Sequence, residues 1–218
     1  MTSRSNDLAV SRSAGVVTVV MNWSGQRGVL GPELAVELSG VLLEVAADSA
    51  ARAVVLSGVD DLFAAGRDDL PEIELLVDVI TRHPVPVIAA VQRACIGAGL
   101  ALALACPRRY VAHDAILCPT PGASDRGAAR QLLFEEVGPE VGRRLLSSGV
   151  IDPASLAEWG VDVRVVPAGD VLALAQEDAY AVSARPVIAL SRPLPRRRRS
   201  TRTMWAAPDA RTVGEAAR

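Results

Sequence analysis

Along the chain, short continuous apolar runs alternate with longer stretches of helical periodicity. "AGVVTVVMNW" is β-rich and gives way to the Gly-punctuated loop "SGQRG". Pro32 then opens a helix through "PELAVELSGVLLEVAADS", in which Leu34, Leu38, Val41, Leu42 and Val45 share one face. "ARAVVLSG" is a compact buried strand closed by Gly58, and "VDDLFAAGRDDL" reads as a loop. A second helix, "EIELLVDVITRH", follows Pro71 and stops at "HPVP", because Pro84 and Pro86 cannot continue it. "VPVIAAVQ" is another apolar strand, leading through Gly97-Ala98-Gly99 into the helix "LALALAC", expected to begin near Leu100. "RRYVAHDAILC" reads as one strand or two short ones around His113. "RGAARQLLFEEVGPEVGRRLLSSG" is helical in two pieces with a break at Gly138 and Pro139, and Asp152 caps the short helix of "DPASLAEWG". "VDVRVVP" supplies a last strand and "DVLALAQEDAYAVSAR" a last helix. Strands alternating with helices predict an α/β architecture.

From Pro193 onward Pro, Arg, Ser and Thr replace that periodicity. The sequence therefore divides into a folded domain over 1–192 and an Arg/Pro-rich tail over 193–218, expected to be short of structure. Half of the 218 residues are hydrophobic but only 3% are aromatic, so the core must rest on Ala, Val and Leu, with Trp159 and Tyr180 read as packing residues. A net charge of −2 argues against a nucleic-acid or membrane-surface partner. "PRRRRSTR" is nonetheless a dense local cation, either a grip for an acidic partner or a solubilising tail. Cys95, Cys106 and Cys118 are odd in number and lie in apolar segments without a CxxC pair, which suits reduced core thiols and no metal. "MTSRSNDLAV" lacks the apolar region of a signal peptide, and the longest apolar stretch, Ile96 to Cys106, is too short to span a bilayer. The expectation is a soluble, cytoplasmic protein.

Four segments, in unbroken order over roughly residues 15–190, carry a resemblance. "ARAVVLSGVDDLFAAGRDDL" looks like a strand and loop ending in FxAGxD. "HPVPVIAAVQRACIGAGLALALACPRRYVA" is similar to a Pro-x-Pro-x-x-Ala-Ala-Val strand that meets a glycine-rich turn and an apolar helix. "GAARQLLFEEVG" and "ASLAEWGVDVRVVP" match a Gly-Gly-Thr-Gln-Arg-Leu helix and an Ala-x-x-x-Gly-Leu-Val…Val-Val-Pro segment. The chain resembles the crotonase superfamily, the enoyl-CoA hydratase/isomerase family. The resemblance implies a spiral of ββα units assembled as a trimer or hexamer. It also implies an acyl-CoA or acyl-carrier substrate and no cofactor beyond the coenzyme A thioester itself.

The chemistry it implies is stabilisation of a thioester enolate by two backbone N–H groups, each worth about 3 kcal/mol in a dry site. By position these are the amides of Arg67, after Ala65-Gly66, and of Ala98, with Gly97 and Gly99 keeping the approach to the turn open. The helix that follows adds its positive end. Arg67 stands where relatives more often carry a small residue, so its guanidinium either meets a phosphate or carboxylate or turns to solvent. Arg27 falls where many relatives place a basic residue near the nucleotide end of coenzyme A, or is a solvated loop residue. Asp68 orders the loop in this reading.

The acids depart from the pattern. Ala101 stands at the first hydratase glutamate position, and Thr120 or Pro121 at the second, in a loop about three residues short. A two-glutamate addition of water lacks its titratable groups. Asp125, in the shortened loop, is the first substitute or else a helix cap; Glu74, on the helix after the first amide, is the second or else a solvated residue. His83 and His113 read as structural or exposed, and Cys118 as core. The alternative to a divergent lyase, isomerase or hydrolase is a non-catalytic partner of an acyl-transfer or polyketide-type enzyme.

Overall fold

The computed structural model describes residues 7–22, 29–59, 62–120 and 127–184. Arg27, Asp125 and the 193–218 tail lie outside them. Among the described residues, nine strands and six α-helices run in the order β1 Leu8–Ser13, β2 Val16–Met21, α1 Pro32–Ala47, β3 Ala53–Gly58, β4 Leu62–Gly66, α2 Pro71–Thr81, β5 Val87–Val91, β6 Ala94–Gly97, α3 Ala98–Ala105, β7 Arg108–Ala112, β8 Ile116–Cys118, α4 Ala128–Ser147, α5 Pro153–Glu158, β9 Arg164–Val166 and α6 Val171–Ser183.

The strands form two sheets. One has the order β1-β2-β3-β5-β7-β9 and the other β4-β6-β8. Apart from the antiparallel β1–β2 hairpin, all pairings within these sheets are parallel, as in Leu56 beside Ala89 and Ala90 beside Tyr110. Each turn of the chain contributes one strand to the large sheet, a second to the small sheet, and then a helix: β3-β4-α2, β5-β6-α3 and β7-β8-α4. This stepped repeat is the predicted spiral of ββα units.

Burial explains the sequence pattern. β3 and β5 are buried at every position, which is why they read as continuous apolar runs rather than alternating ones. The predicted face of α1 is buried as a set, with Ala35 and Ser39 added. α3 is buried on all sides, consistent with its lack of any charge. The break in α4 falls at Gly138, whose φ of +82° leaves the helical region just before Pro139. Asp152 caps α5 by accepting the Ser155 amide at 2.9 Å.

Three expectations change. The segment read as a loop over 59–70 holds β4, and the residues before the glycine turn hold β6, so the turn joins the small sheet to a helix beginning at Ala98 rather than near Leu100. Both strands are too short to show periodicity and become strands by pairing across the spiral. β1 forms likewise by pairing with β2. Finally, Trp159 and Tyr180 are not packed: they are 42% and 38% exposed, and Trp159 is approached by the Arg144 guanidinium at 6.0 Å.

Candidate functional site

The site grows from one backbone register. Gly66, the last residue of β4, pairs with Gly97, the last residue of β6. The residues that follow, Arg67 and Ala98, therefore leave adjacent parallel strands side by side. Gly66 adopts φ +158° and Gly97 adopts φ +56°, the latter a left-handed value that side chains rarely take. A Cβ on Gly97 would land on the Gly66 carbonyl oxygen and the Thr120 hydroxyl, and one on Gly99 on the Ala64 carbonyl oxygen. The open approach expected at Gly97 and Gly99 is thus filled by protein: their missing side chains let α3 press directly onto β4. On the other side of β4, Ala65 accepts the Leu30 amide at 2.6 Å, and a Cβ on Gly66 would sit 2.7 Å from the Leu30 carbonyl oxygen.

Ala98 is the first residue of α3 and is completely buried. The first-turn amides of a helix have no partner within the helix, and here no side chain caps them and no acid stands in the first turn. The positive end of α3 is therefore directed toward the Gly66–Arg67 corner with nothing acidic from its own first turn to offset it.

Arg67 and Asp68 point in opposite senses. The Arg67 guanidinium is 70% exposed and grips Asp69 through two bonds of 3.0 and 2.9 Å, which raises the guanidinium pKa and holds the Asp69 carboxyl below its usual range. Asp68 is only 2% exposed. Its carboxylate accepts the Thr120 hydroxyl at 2.6 Å and the Ala129 amide at 3.1 Å, while its carbonyl accepts the Ala128 amide at 3.0 Å. Gly127 leaves room for it, since a Cβ there would lie 2.6 Å from the carboxylate. Asp68 thus turns into the protein, placing a negative charge at the amino end of α4.

Among the described residues, the other candidates do not converge on this corner. Glu74 lies on the exposed side of α2, away from the buried face of Ile73, Leu76 and Ile80. Asp125 and Arg27 lie outside the described residues. Ala101 is fully buried within α3. His83 holds α2 to α1, its ring nitrogens 2.9 Å from the Val85 carbonyl oxygen and 3.0 Å from that of Leu42, and His113 is exposed. Cys95 and Cys106 are buried, and Cys118 is partly so. Among the described residues no cluster of metal-ligating side chains occurs, and no helix is long and apolar enough to cross a membrane.

Two features were not singled out in the sequence. Arg109, only 7% exposed, donates to the Ala103 and Leu104 carbonyls at the far end of α3, to the Asp162 carbonyl, and to both carboxylate oxygens of Glu136 at 2.8 and 3.0 Å. Its signal was the second of the two arginines that open the strand "RRYVA", where the burial of an apolar run already begins. A groove of about 450 Å³ also runs along β9 and α6, lined by Tyr110, Arg164, Val166, Leu174, Glu177, Asp178 and Ala181, and holds none of the candidate residues.

The stacked ββα turns and the glycine-tight corner between β4 and α3 define a crotonase fold. Residues 11–191 match the family described as enoyl-CoA hydratase/isomerase, and the chain belongs to that family. It is 35% identical over 118 residues to the "Probable enoyl-CoA hydratase echA6" of Mycobacterium bovis, a match covering 50% of this chain and 48% of that protein. It is 30% identical over 193 residues to the fatty acid oxidation complex subunit alpha of Shewanella halifaxensis, covering 78% of this chain and 27% of that one. The chain thus spans about half the length of the first relative and about a quarter of the second. Among solved structures, a monofunctional enoyl CoA isomerase from M. smegmatis superposes with a TM-score of 0.73 at 27% identity, covering 84% of this chain and 87% of that one.

Proposed function

We propose that this protein binds an acyl thioester, on coenzyme A or a carrier protein, and seats its carbonyl oxygen between the main-chain amides of Arg67 and Ala98. The observation that carries this is the register of Gly66 with Gly97, which sets the two following residues side by side at the uncapped start of α3. Membership of the enoyl-CoA hydratase/isomerase family supports the substrate class.

A thioester carbonyl gains negative charge when its α-carbon loses a proton or its β-carbon is attacked. Two fixed amides and a helix amino end stabilise that charge without reorganising at the moment of reaction, at about 3 kcal/mol per donor. Because both donors are main-chain groups, Arg67 and Ala98 fulfil the role whatever their side chains.

Proton transfer must differ from a two-carboxylate hydration. Ala101 is an alanine packed on all sides, and Thr120 already gives its hydroxyl proton to Asp68. The acid–base role falls to Asp125 first and Glu74 second, in an isomerisation, dehydration, decarboxylation or thioester hydrolysis. These same two positions also favour a second reading, a thioester-binding partner without turnover.

Titration calorimetry and thermal shift with acetyl-CoA and crotonyl-CoA decide first. Heat and a raised melting temperature are expected; neither, with either ligand, overturns the proposal. A panel of acyl-CoA and acyl-carrier thioesters then separates the two readings. Turnover reduced at least tenfold by Asp125→Asn or Glu74→Gln supports the enzyme, whereas binding without turnover across the panel supports the partner.

A further inference from the structure

The two proposed donors follow the ends of different strands, and the register of Gly66 with Gly97 leaves the segment after each strand to be held in place. We infer that the Thr120–Asp68 hydrogen bond holds them, making Thr120 a positioning residue for the thioester site. This rests on the reading of Arg67 and Ala98 given above.

Asp68 is the residue after Arg67, so holding its carboxylate limits how far Arg67, and with it the Gly66–Arg67 peptide that carries the first donor, can shift. Thr120 follows β8, the strand next to β6 in the small sheet. Its hydroxyl lies against the α-carbon of Gly97, close enough that a Cβ on Gly97 would strike it. The same hydroxyl donates to Asp68 at 2.6 Å. One oxygen therefore touches the turn that presents Ala98 and bonds the residue that follows Arg67. The other Asp68 oxygen and its carbonyl are held by the Ala129 and Ala128 amides, so Asp68 cannot follow Thr120 if Thr120 moves.

The chemistry of the position agrees. A threonine hydroxyl can donate to the buried carboxylate, whereas a second carboxylate in its place would face Asp68 as a like charge in a poorly solvated site. Thr120, at one of the two positions where a hydratase glutamate is expected, completes the scaffold of the site instead of supplying an acid. Charge-assisted O–H···O⁻ bonds are short and directional, which suits a spacer between two donors.

The test compares two ligands that differ only in the carbonyl: acetyl-CoA and its thioether analogue S-ethyl-CoA. In the unaltered protein the thioester should bind about tenfold more tightly, one order of magnitude being about 1.4 kcal/mol. If the two bind equally, the carbonyl is not held and the proposed function fails before this inference is reached. Given a preference, Thr120→Val should reduce it at least fivefold while S-ethyl-CoA affinity, which reports an intact binding site, changes less than twofold. Thr120→Ser, which keeps the hydroxyl, should restore the preference. A preference unchanged in Thr120→Val overturns the inference. So does its loss in Thr120→Ser, a result that remains informative even if the valine variant fails to fold.

Discussion

The two ends of α3 are held by opposite means. At the amino end, backbone packs on backbone, Gly97 against Gly66 and Gly99 against Ala64, with the Thr120 hydroxyl also against Gly97 and no side-chain cap. At the carboxyl end, the Arg109 guanidinium fastens the Ala103 and Leu104 carbonyls at 2.8 and 2.5 Å and is itself held by Glu136. A cation there complements the negative end of the helix dipole. The amino end has no corresponding anion in its first turn. The carboxyl end is thus closed by a cation, whereas the amino end is packed but open in the sense that no acid stands in its first turn, the nearby Asp68 carboxylate being held by Thr120 and the start of α4.

The largest effect should come from the closed end. Arg109→Met removes a buried cation and its bonds to the Ala103 and Leu104 carbonyls, and leaves the partly exposed Glu136 carboxylate, still bonded to the Asp162 amide, without its counter-charge. Breaking a buried pair in this way costs several kcal/mol, and partial exposure of Glu136 sets the expectation at about 3 kcal/mol. Urea unfolding measures it. Adding Glu136→Gln to Arg109→Met should recover part of the loss, because an uncharged amide no longer needs a cation. A loss below about 1 kcal/mol in the single variant would mean that the carboxyl end does not depend on this cation, and the contrast between the ends would fail.

At the open end the corresponding change adds one methyl group. Gly99→Ala drives a Cβ into the Ala64 carbonyl oxygen, which is backbone and cannot rotate away. Overpacking of this kind typically costs about 1 to 3 kcal/mol, so about 2 kcal/mol is expected on unfolding. The two ends should then separate by function: Gly99→Ala moves α3 off β4 and weakens acetyl-CoA binding more than S-ethyl-CoA binding. Arg109→Met lowers stability with the carbonyl preference intact. Equal loss of preference in both variants would show that α3 responds as a unit.

These ends were unequally legible in the sequence. The spiral was readable because β3 and β5 are buried on both faces and the helices carry clear apolar faces, as Leu34, Leu38, Val41, Leu42 and Val45 show on α1. The glycine turn was visible as a motif, but what Gly97 and Gly99 touch was not. Their neighbours Gly66 and Ala64 lie some thirty residues earlier, on a strand that forms by long-range pairing, with β6 on one side and Val29 on the other. Thr120 and Asp68 are 52 residues apart, and Arg109 and Glu136 are 27 apart. Neither pair lies within a helical or hairpin spacing, so no periodicity reports it. Asp68 was marked in sequence by the FxAGxD resemblance as a residue that orders the loop, but what it bonds, and how it differs from Asp69, the surface partner of Arg67, shows only in the fold.

The smallest effect concerns two thiols that flank α3. Cys95, in β6, and Cys106, just after the last helical residue, are both buried. Burial pushes the Cys106 thiol up to about 12, against the opposing pull of Arg109, and pushes Cys95 up as well with no cation to offset it. In the unfolded chain both titrate near the ordinary thiol value of about 9. As pH rises through that value the unfolded state releases protons that the folded state keeps, so unfolding becomes more favourable. Stability present below pH 9 is lost progressively above it, by about 1.4 kcal/mol per thiol at pH 10. Cys95→Ala and Cys106→Ala should each flatten the pH dependence of the urea midpoint between pH 9 and 11, and to the same extent, because both thiols stay protonated in the folded state throughout that window. A clearly smaller flattening for Cys106→Ala would mean that Arg109 offsets more of the burial than the contrast between the two thiols allows, and a steepening would mean that it outweighs burial altogether.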